Sequence, residues 1–231
     1  MFNWDAEIYN SPAYPVTDAA RYLRIPVGTL RAWFNGRSYV TRKGQQKFEP
    51  LIQRPDRKQP EVSFSNLVEA HILRVIRENH QIKLDRVRTA LDYLSEVLNT
   101  NHPLIQHSFQ TDGIDLFIDS MDRLVNVSRS GQLAMRETLK FLLTRIEWDE
   151  RGIASRLFPL IQTEGDSAKI LCIDPRISFG KPIIVGTGIP TASLVDLYEA
   201  GEEIENIANE FDCTPDQVRA AIRFESLGLA A

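Results

Sequence analysis

A chain of 231 residues, 43% hydrophobic and 25% charged, has the makeup of one or two globular domains, each long enough to bury a core. Its net charge is −4, so any affinity for nucleic acid has to come from local charge. No run of roughly 18 apolar residues occurs and the first residues lack a basic and then apolar leader, so neither a membrane span nor a signal peptide is expected. The two cysteines, Cys172 and Cys213, are far apart and fit a reduced, cytoplasmic setting. His71, His80, His102 and His107 make no pair with metal spacing, and no nucleophile–base pair is evident, so no metal, cofactor or catalytic site is expected.

The first dozen residues read as an irregular arm. Tyr14–Lys47 then reads as two short helices with a tight joint, followed by a basic segment. Ala19, Ala20 and Leu23 share one face, and Val27, Leu30 and Phe34 share another. Pro26 stands where the second helix begins and Gly36 where it ends. Helices this short and close bury each other, the geometry of a helix-turn-helix. Thr29, Arg31 and Trp33 fall outside the apolar stripe, flanked by Arg24 and Arg37. Tyr39–Lys47, with Arg42, Lys43 and Lys47, has β-type residues around Gly44 and reads as a wing. Arg21 to Lys58 holds ten bases and two acids, a balance of +8. Positive charge of that density suits phosphate neutralisation, although a solvated basic face would carry the same residues. The predicted DNA-contacting set is Arg24, Thr29, Arg31, Trp33, Arg37, Tyr39, Arg42, Lys43 and Lys47.

Pro50, Pro55 and Pro60 punctuate Glu49–Pro60, a linker or extended strap. A helix capped by Ser65 or Asn66 is expected to reach about Glu78. Leu84, Val87, Leu91, Leu94 and Leu98, spaced 3, 4, 3, 4, form either the core face of an ordinary helix or a dimer seam. Ile114, Leu116 and Ile118 alternate with polar residues and read as a strand. Leu124–Val127 and Gln132–Met135 flank Ser128-Arg129-Ser130-Gly131, a hairpin pattern. Leu139, Leu142, Leu143 and Ile146 predict a helix closing near Trp148, and Ile161–Lys169 reads as a second linker.

From Ile170 the pattern is tight. Two β runs with Gly180, Gly186 and Gly188 at turns precede three short helices. Thr191 or Ser193 is expected to cap the first, and Thr214 and Gln217 form a capping box on the third. Gly180-Lys181 is followed by Pro182, so no phosphate loop is present. Residues 165–231 carry five bases against eleven acids, −6, which repels phosphate and favours a protein partner. The fold class expected is mainly α with small β-hairpins (α+β), in three parts: a head at 1–60, a middle domain at 61–163 with possible dimerisation, and a C-terminal module at 170–231.

Two resemblances bear on this reading. Val27-Gly28-Thr29-Leu30-Arg31-Ala32-Trp33 resembles the second helix of MerR-type regulators, which implies that Thr29, Arg31 and Trp33 approach DNA and that the wing grips phosphates. Asp174-Pro175, then Gly180-Lys181-Pro182-Ile183-Ile184-Val185-Gly186-Thr187-Gly188-Ile189-Pro190, then Ala200-Gly201 before two helices, resembles a family of VapB-like antitoxins. That resemblance implies a type II antitoxin and autorepressor, a homodimer on double-stranded operator DNA, partnered by a PIN-like ribonuclease toxin. The expected toxin contacts are Phe179, Lys181, Thr187, Glu202 and Glu205. The rival expectation is a MerR-like, ligand-responsive regulator without a toxin.

Overall fold

The structure, a computed structural model, describes residues 4–41, 44–80, 84–100, 102–125, 128–159 and 169–228. It is mainly helical, with three small antiparallel strand pairs. The opening residues are not irregular. They form α1 (Trp4–Asn10), because Tyr9 finds Phe64 to pack on, with ring centroids 6.0 Å apart.

Helices α2 (Val16–Leu23) and α3 (Val27–Asn35) are the expected pair. Arg24 takes the left-handed conformation between them, and its N–H donates to the carbonyls of Ala20 and Arg21. Gly36 follows α3 at φ 71°, and a Cβ there would overlap the Phe48 carbonyl oxygen, so only glycine fits. Strands β1 (Arg37–Thr41) and β2 (Gly44–Phe48) pair from Arg37↔Phe48 to Thr41↔Gly44 and form the wing. The connecting Arg42 and Lys43 lie outside the described residues.

Glu49–Pro60 is a strap and not a loose linker, since its backbone is bonded along its length. The N–H groups of Leu51 and Ile52 donate to the Trp33 carbonyl (2.7 and 3.1 Å), Arg88 Nη1 donates to the Pro50 carbonyl, and Asn66 Nδ2 donates to that of Gln53. The chain then enters α4 (Phe64–His80), whose described side chains are all buried. Its cap is Ser63 rather than Ser65 or Asn66. Ser63 Oγ accepts from Asn66 N–H while Asn66 Oδ1 accepts from Ser63 N–H, a reciprocal box that starts before either predicted cap. Arg74 of α4 places Nη1 2.6 Å from the Leu23 carbonyl, a cation at the C-terminus of α2.

Helix α5 (Leu84–Val97) packs on α6 (Ile114–Val125), and α7 (Arg129–Leu143) packs on α4 and α6. Three expectations fail in this region. The predicted strand at 114–118 is helical, because the buried set is Ile114, Phe117, Ile118 and Met121, an i, i+3, i+4, i+7 stripe that pairs Ile114 with Phe117 rather than with Leu116. The predicted hairpin around Ser128–Gly131 is the start of α7, since Ser128 Oγ caps the helix by accepting from Gly131 N–H. Beyond α7, Ile146–Trp148 is not helix but strand β3, paired with β4 (Ala154–Leu157). Most of the second predicted linker, its residues 161–168, lies outside the described residues.

In the tail, β5 (Leu171–Cys172) pairs with β6 (Ile183–Ile184), and α8 (Thr191–Glu199), α9 (Ile204–Glu210) and α10 (Pro215–Gly228) follow. Gly180, Gly186 and Gly188 take positive φ at the turns. Both bonds of the Thr214–Gln217 box are made, at 2.8 and 3.2 Å. Helix α8 has no side-chain cap. Pro190 precedes it, and Thr191 Oγ1 turns inward to the Pro182 carbonyl and to Glu225.

One apolar core runs from Tyr9 through α4 to Phe224. The tail joins it at several points. Leu157 and Ile173 exchange backbone hydrogen bonds, and α10 lies on α2, with Tyr22 stacked on Phe224 and Arg21 paired with the buried Glu225.

A partly buried ion pair sets one pH response. His102 Nδ1 lies 3.1 Å from Glu69 Oε2. Burial pulls the imidazole down, but the charge and hydrogen bond of Glu69 outweigh it and hold His102 above its ordinary value. A raised folded value stabilises the fold fully below the ordinary histidine range, near about pH 6.5, and the contribution is lost as pH rises through the raised value. The expected result is a chemical-denaturation midpoint that falls between about pH 6 and pH 8.5, and a flattened fall in His102→Gln.

Candidate nucleic-acid interface and the tail surface

Helix α3 buries Leu30, Trp33 and Phe34 and leaves Gly28, Arg31 and Asn35 exposed at i, i+3 and i+7, with Thr29 half-buried. The polar face is therefore narrower than predicted. Trp33, expected on the outer face, is 2% exposed. Its ring belongs to the same buried core as Ile52 of the strap, whose N–H, with that of Leu51, donates to the Trp33 carbonyl. Arg24 is also turned in part toward the protein, with Nε and Nη2 shielded from solvent at the α2 C-cap.

Arg37 stands exposed at the start of β1. Lys47, on β2, is exposed and 2.7 Å from Glu49, a surface pair that contributes little and exchanges readily for phosphate. The backbone of Tyr39 lies in β1 opposite Gln46. Arg42 and Lys43 fall outside the described residues, so the geometry places Arg31, Arg37 and Lys47 about α3 and the wing.

The strap adds bases that the helix-turn-helix pattern did not point to. A groove of about 400 Å³ runs between the start of α2, the Arg31–Asn35 face and the strap, with Arg54, Arg57 and Lys58 in its wall and Glu61 as its one acid. No carboxylate pairs with Arg31, Arg57 or Lys58 among the described residues. The signal in the sequence was the charge count over Arg21–Lys58, which included these residues without placing them.

The α5 seam is not a free surface. Val87, Leu91 and Leu94 belong to the core of their own chain and Leu98 packs against it, because α6 occupies that face. The core reading of that spacing therefore holds and the dimer-seam reading does not. The backbone of Leu84 opens α5, but its side chain lies outside what is described.

In the tail, Ser178, Phe179 and Gly180 take φ of 47°, 56° and 73° in succession. Two non-glycine residues held there are strained. Ser178 Oγ donates to the Gly188 carbonyl at 2.6 Å, and a Cβ on Gly180 would overlap the Tyr14 side chain, so turn and head are in close contact. Phe179 is left 95% exposed. Lys181 and Thr187 are exposed on the same turns, whereas Glu202 and Glu205 are exposed at the α8–α9 joint, with Glu205 3.2 Å from Arg219.

Asp174, the acid of the Asp-Pro step, is wholly buried. It takes Arg156 at 3.2 Å from β4 and Arg176 at 2.7 Å from its own turn. Burial pushes its carboxyl up, but the Arg176 hydrogen bonds and both guanidinium charges win and hold it below the usual range. Burial raises the Cys172 thiol to about 11, so it is a packed, unreactive group. Among the described residues no His/Cys/Asp/Glu cluster could hold a metal, and no helix is long and apolar enough to cross a membrane.

Known proteins resemble both ends of the chain. Residues 12–91 match a family described as "Putative DNA-binding HTH domain", and residues 172–224 match "Protein of unknown function (DUF433)". The chain is 27% identical over 232 residues to "Putative antitoxin VapB45" of Mycobacterium tuberculosis, covering 93% of this chain and 94% of that one. It is 22% identical to "Uncharacterized protein Rv2308" of the same organism, over 91% and 89% of the two chains. The X-ray crystal structure of Rv2018 from Mycobacterium tuberculosis has the same fold, with a TM-score of 0.67 at 20% identity over 93% of this chain and 99% of that one. The head match is to a helix-turn-helix in general and not to MerR-type regulators in particular.

Proposed function

We propose that this protein is an antitoxin that binds operator DNA through its head and a toxin protein through its tail, repressing its own operon. The observation that carries the DNA half is Arg31 on the exposed face of α3, with no carboxylate paired to it among the described residues and further bases of the strap and wing around it. The toxin half rests on the antitoxin name of a relative that spans nearly the whole chain, together with the −6 balance of residues 165–231. An acidic surface suits a ribonuclease whose own substrate is a polyanion, which is why a PIN-like toxin is the partner proposed. Head, middle and tail thus divide the labour as 1–60, 61–163 and 170–231. One α3 reads only a short site, so two copies on a two-fold operator are proposed, paired through a surface other than the α5 seam.

Arg31→Ala and Lys43→Ala are each expected to weaken operator binding and to lower the slope of log K against log salt by about one. Slopes equal to wild type in both would remove these contacts. Co-purification with the protein encoded beside it tests the toxin half, with Phe179→Ala weakening the association. The rival, a ligand-responsive regulator, would use the cavity of about 510 Å³ lined by Tyr9, Trp148, Ser155 and Arg176, where head, middle and tail meet.

A further inference from the structure

We infer that the groove beside α3 is a phosphate site, and that the phosphate it takes belongs to the DNA backbone, held by Arg57 and Lys58 of the strap. This rests on the DNA reading above and adds residues which that reading does not assign.

The strap is built to present these two side chains. The Arg54 guanidinium donates to the carbonyls of Arg57 (3.1 Å) and Gln59 (2.7 Å), and Asp56 Oδ1 accepts from Lys58 N–H at 2.8 Å. Together with the Trp33 carbonyl bonds, this fixes the turn against α3. Arg57 and Lys58 are left exposed on a bonded support, so little backbone freedom remains to be lost on binding. Four bases, Arg31, Arg54, Arg57 and Lys58, line the groove against one acid, Glu61, a balance of +3. Asp56 is occupied by its own backbone turn. Helix α2 starts at the same groove, through Pro15, Val16 and Thr17, without a side-chain cap, and Asp18 in its first turn offsets the positive end of the helix, so the field of the groove comes from the four bases. Arg31 forms the inner wall of the groove and, in the DNA reading, lies against the duplex. A backbone phosphate flanking the base pairs under α3 is then the phosphate within reach.

The test measures binding of the full chain to a short mixed-sequence duplex at a series of chloride concentrations, for wild type, Arg31→Ala, Arg57→Ala, Lys58→Ala and the tail control Arg223→Ala. Arg57→Ala and Lys58→Ala are each expected to lower the salt slope by about one, with Arg223→Ala unchanged. Both strap residues are exposed, so thermal midpoints should stay at the wild-type value and report that the fold is intact. Strap variants with the wild-type slope, alongside a lowered slope in Arg31→Ala, overturn the phosphate site and leave the DNA reading standing. Failure of wild type to bind any duplex removes the DNA reading instead. Titration with inorganic phosphate then decides: stabilisation of wild type that vanishes in Arg57→Ala supports the site as one for a free phosphate ligand, and no stabilisation overturns it too.

Discussion

Trp33→Ala is expected to destabilise the protein by about 3–5 kcal/mol, the usual cost of emptying a large buried aromatic site. Trp33 is the largest fully buried side chain among the described residues, in the same core as Leu30, Phe34 and Ile52. Its loss opens a cavity between α3 and the strap and loosens the support on which Arg57 and Lys58 stand. Its Nε1 has no hydrogen-bond partner among the described residues, so removing the ring sacrifices packing rather than a polar contact. Trp33→Phe, which keeps most of the apolar volume, should cost much less. Urea denaturation separates this from a DNA-contacting role: a residue on the reading face would lose affinity at unchanged stability, whereas here stability falls first and affinity follows.

Asp174→Asn is expected to cost about 2 kcal/mol, because it removes the charged acceptor of a buried site, although Arg156 keeps Glu147 at 2.8 Å and both guanidinium groups reach solvent. The carboxylate ties β4, through Arg156, to the turn that begins the tail, through Arg176. The folded value of Asp174 is depressed, so its contribution is present above the ordinary carboxylate range and is lost as pH falls through the depressed value. Wild type should therefore lose stability toward acid more steeply than Asp174→Asn, read as unfolding midpoints across an acid series. On this account the Asp-Pro step that marks the tail motif is an anchor between middle and tail, and its loss should shift stability before any binding.

Local chemistry was the legible part of this sequence. Pro26 and Gly36 bracket α3, and Thr214 with Gln217 closes the box on α10, because each device is completed within four residues. Positions whose fate depends on distant partners were misread. Trp33 looks polar-faced on a helical wheel, and only the strap returning to its carbonyl shows why the ring is inside. Leu116 took part in a false β alternation because Phe117, not Leu116, shares the buried stripe with Ile114. The α5 heptad fits an interhelical seam equally well whether its partner is another chain or, as here, α6. Arg21 counted toward the positive head, yet it is paired with Glu225 some two hundred residues on, which no local pattern reveals. The charge balance did find the right region, while the placing of Arg57 and Lys58 beside α3 required the fold.

The most direct measurement is amide hydrogen exchange of the full chain with and without operator duplex. New protection is expected in 27–37, in the wing and in the strap at 54–60, with no change in α8, α9 or the 178–188 turns. Protection concentrated in the acidic tail, with α3 and the strap exchanging as in the free protein, would contradict the DNA reading.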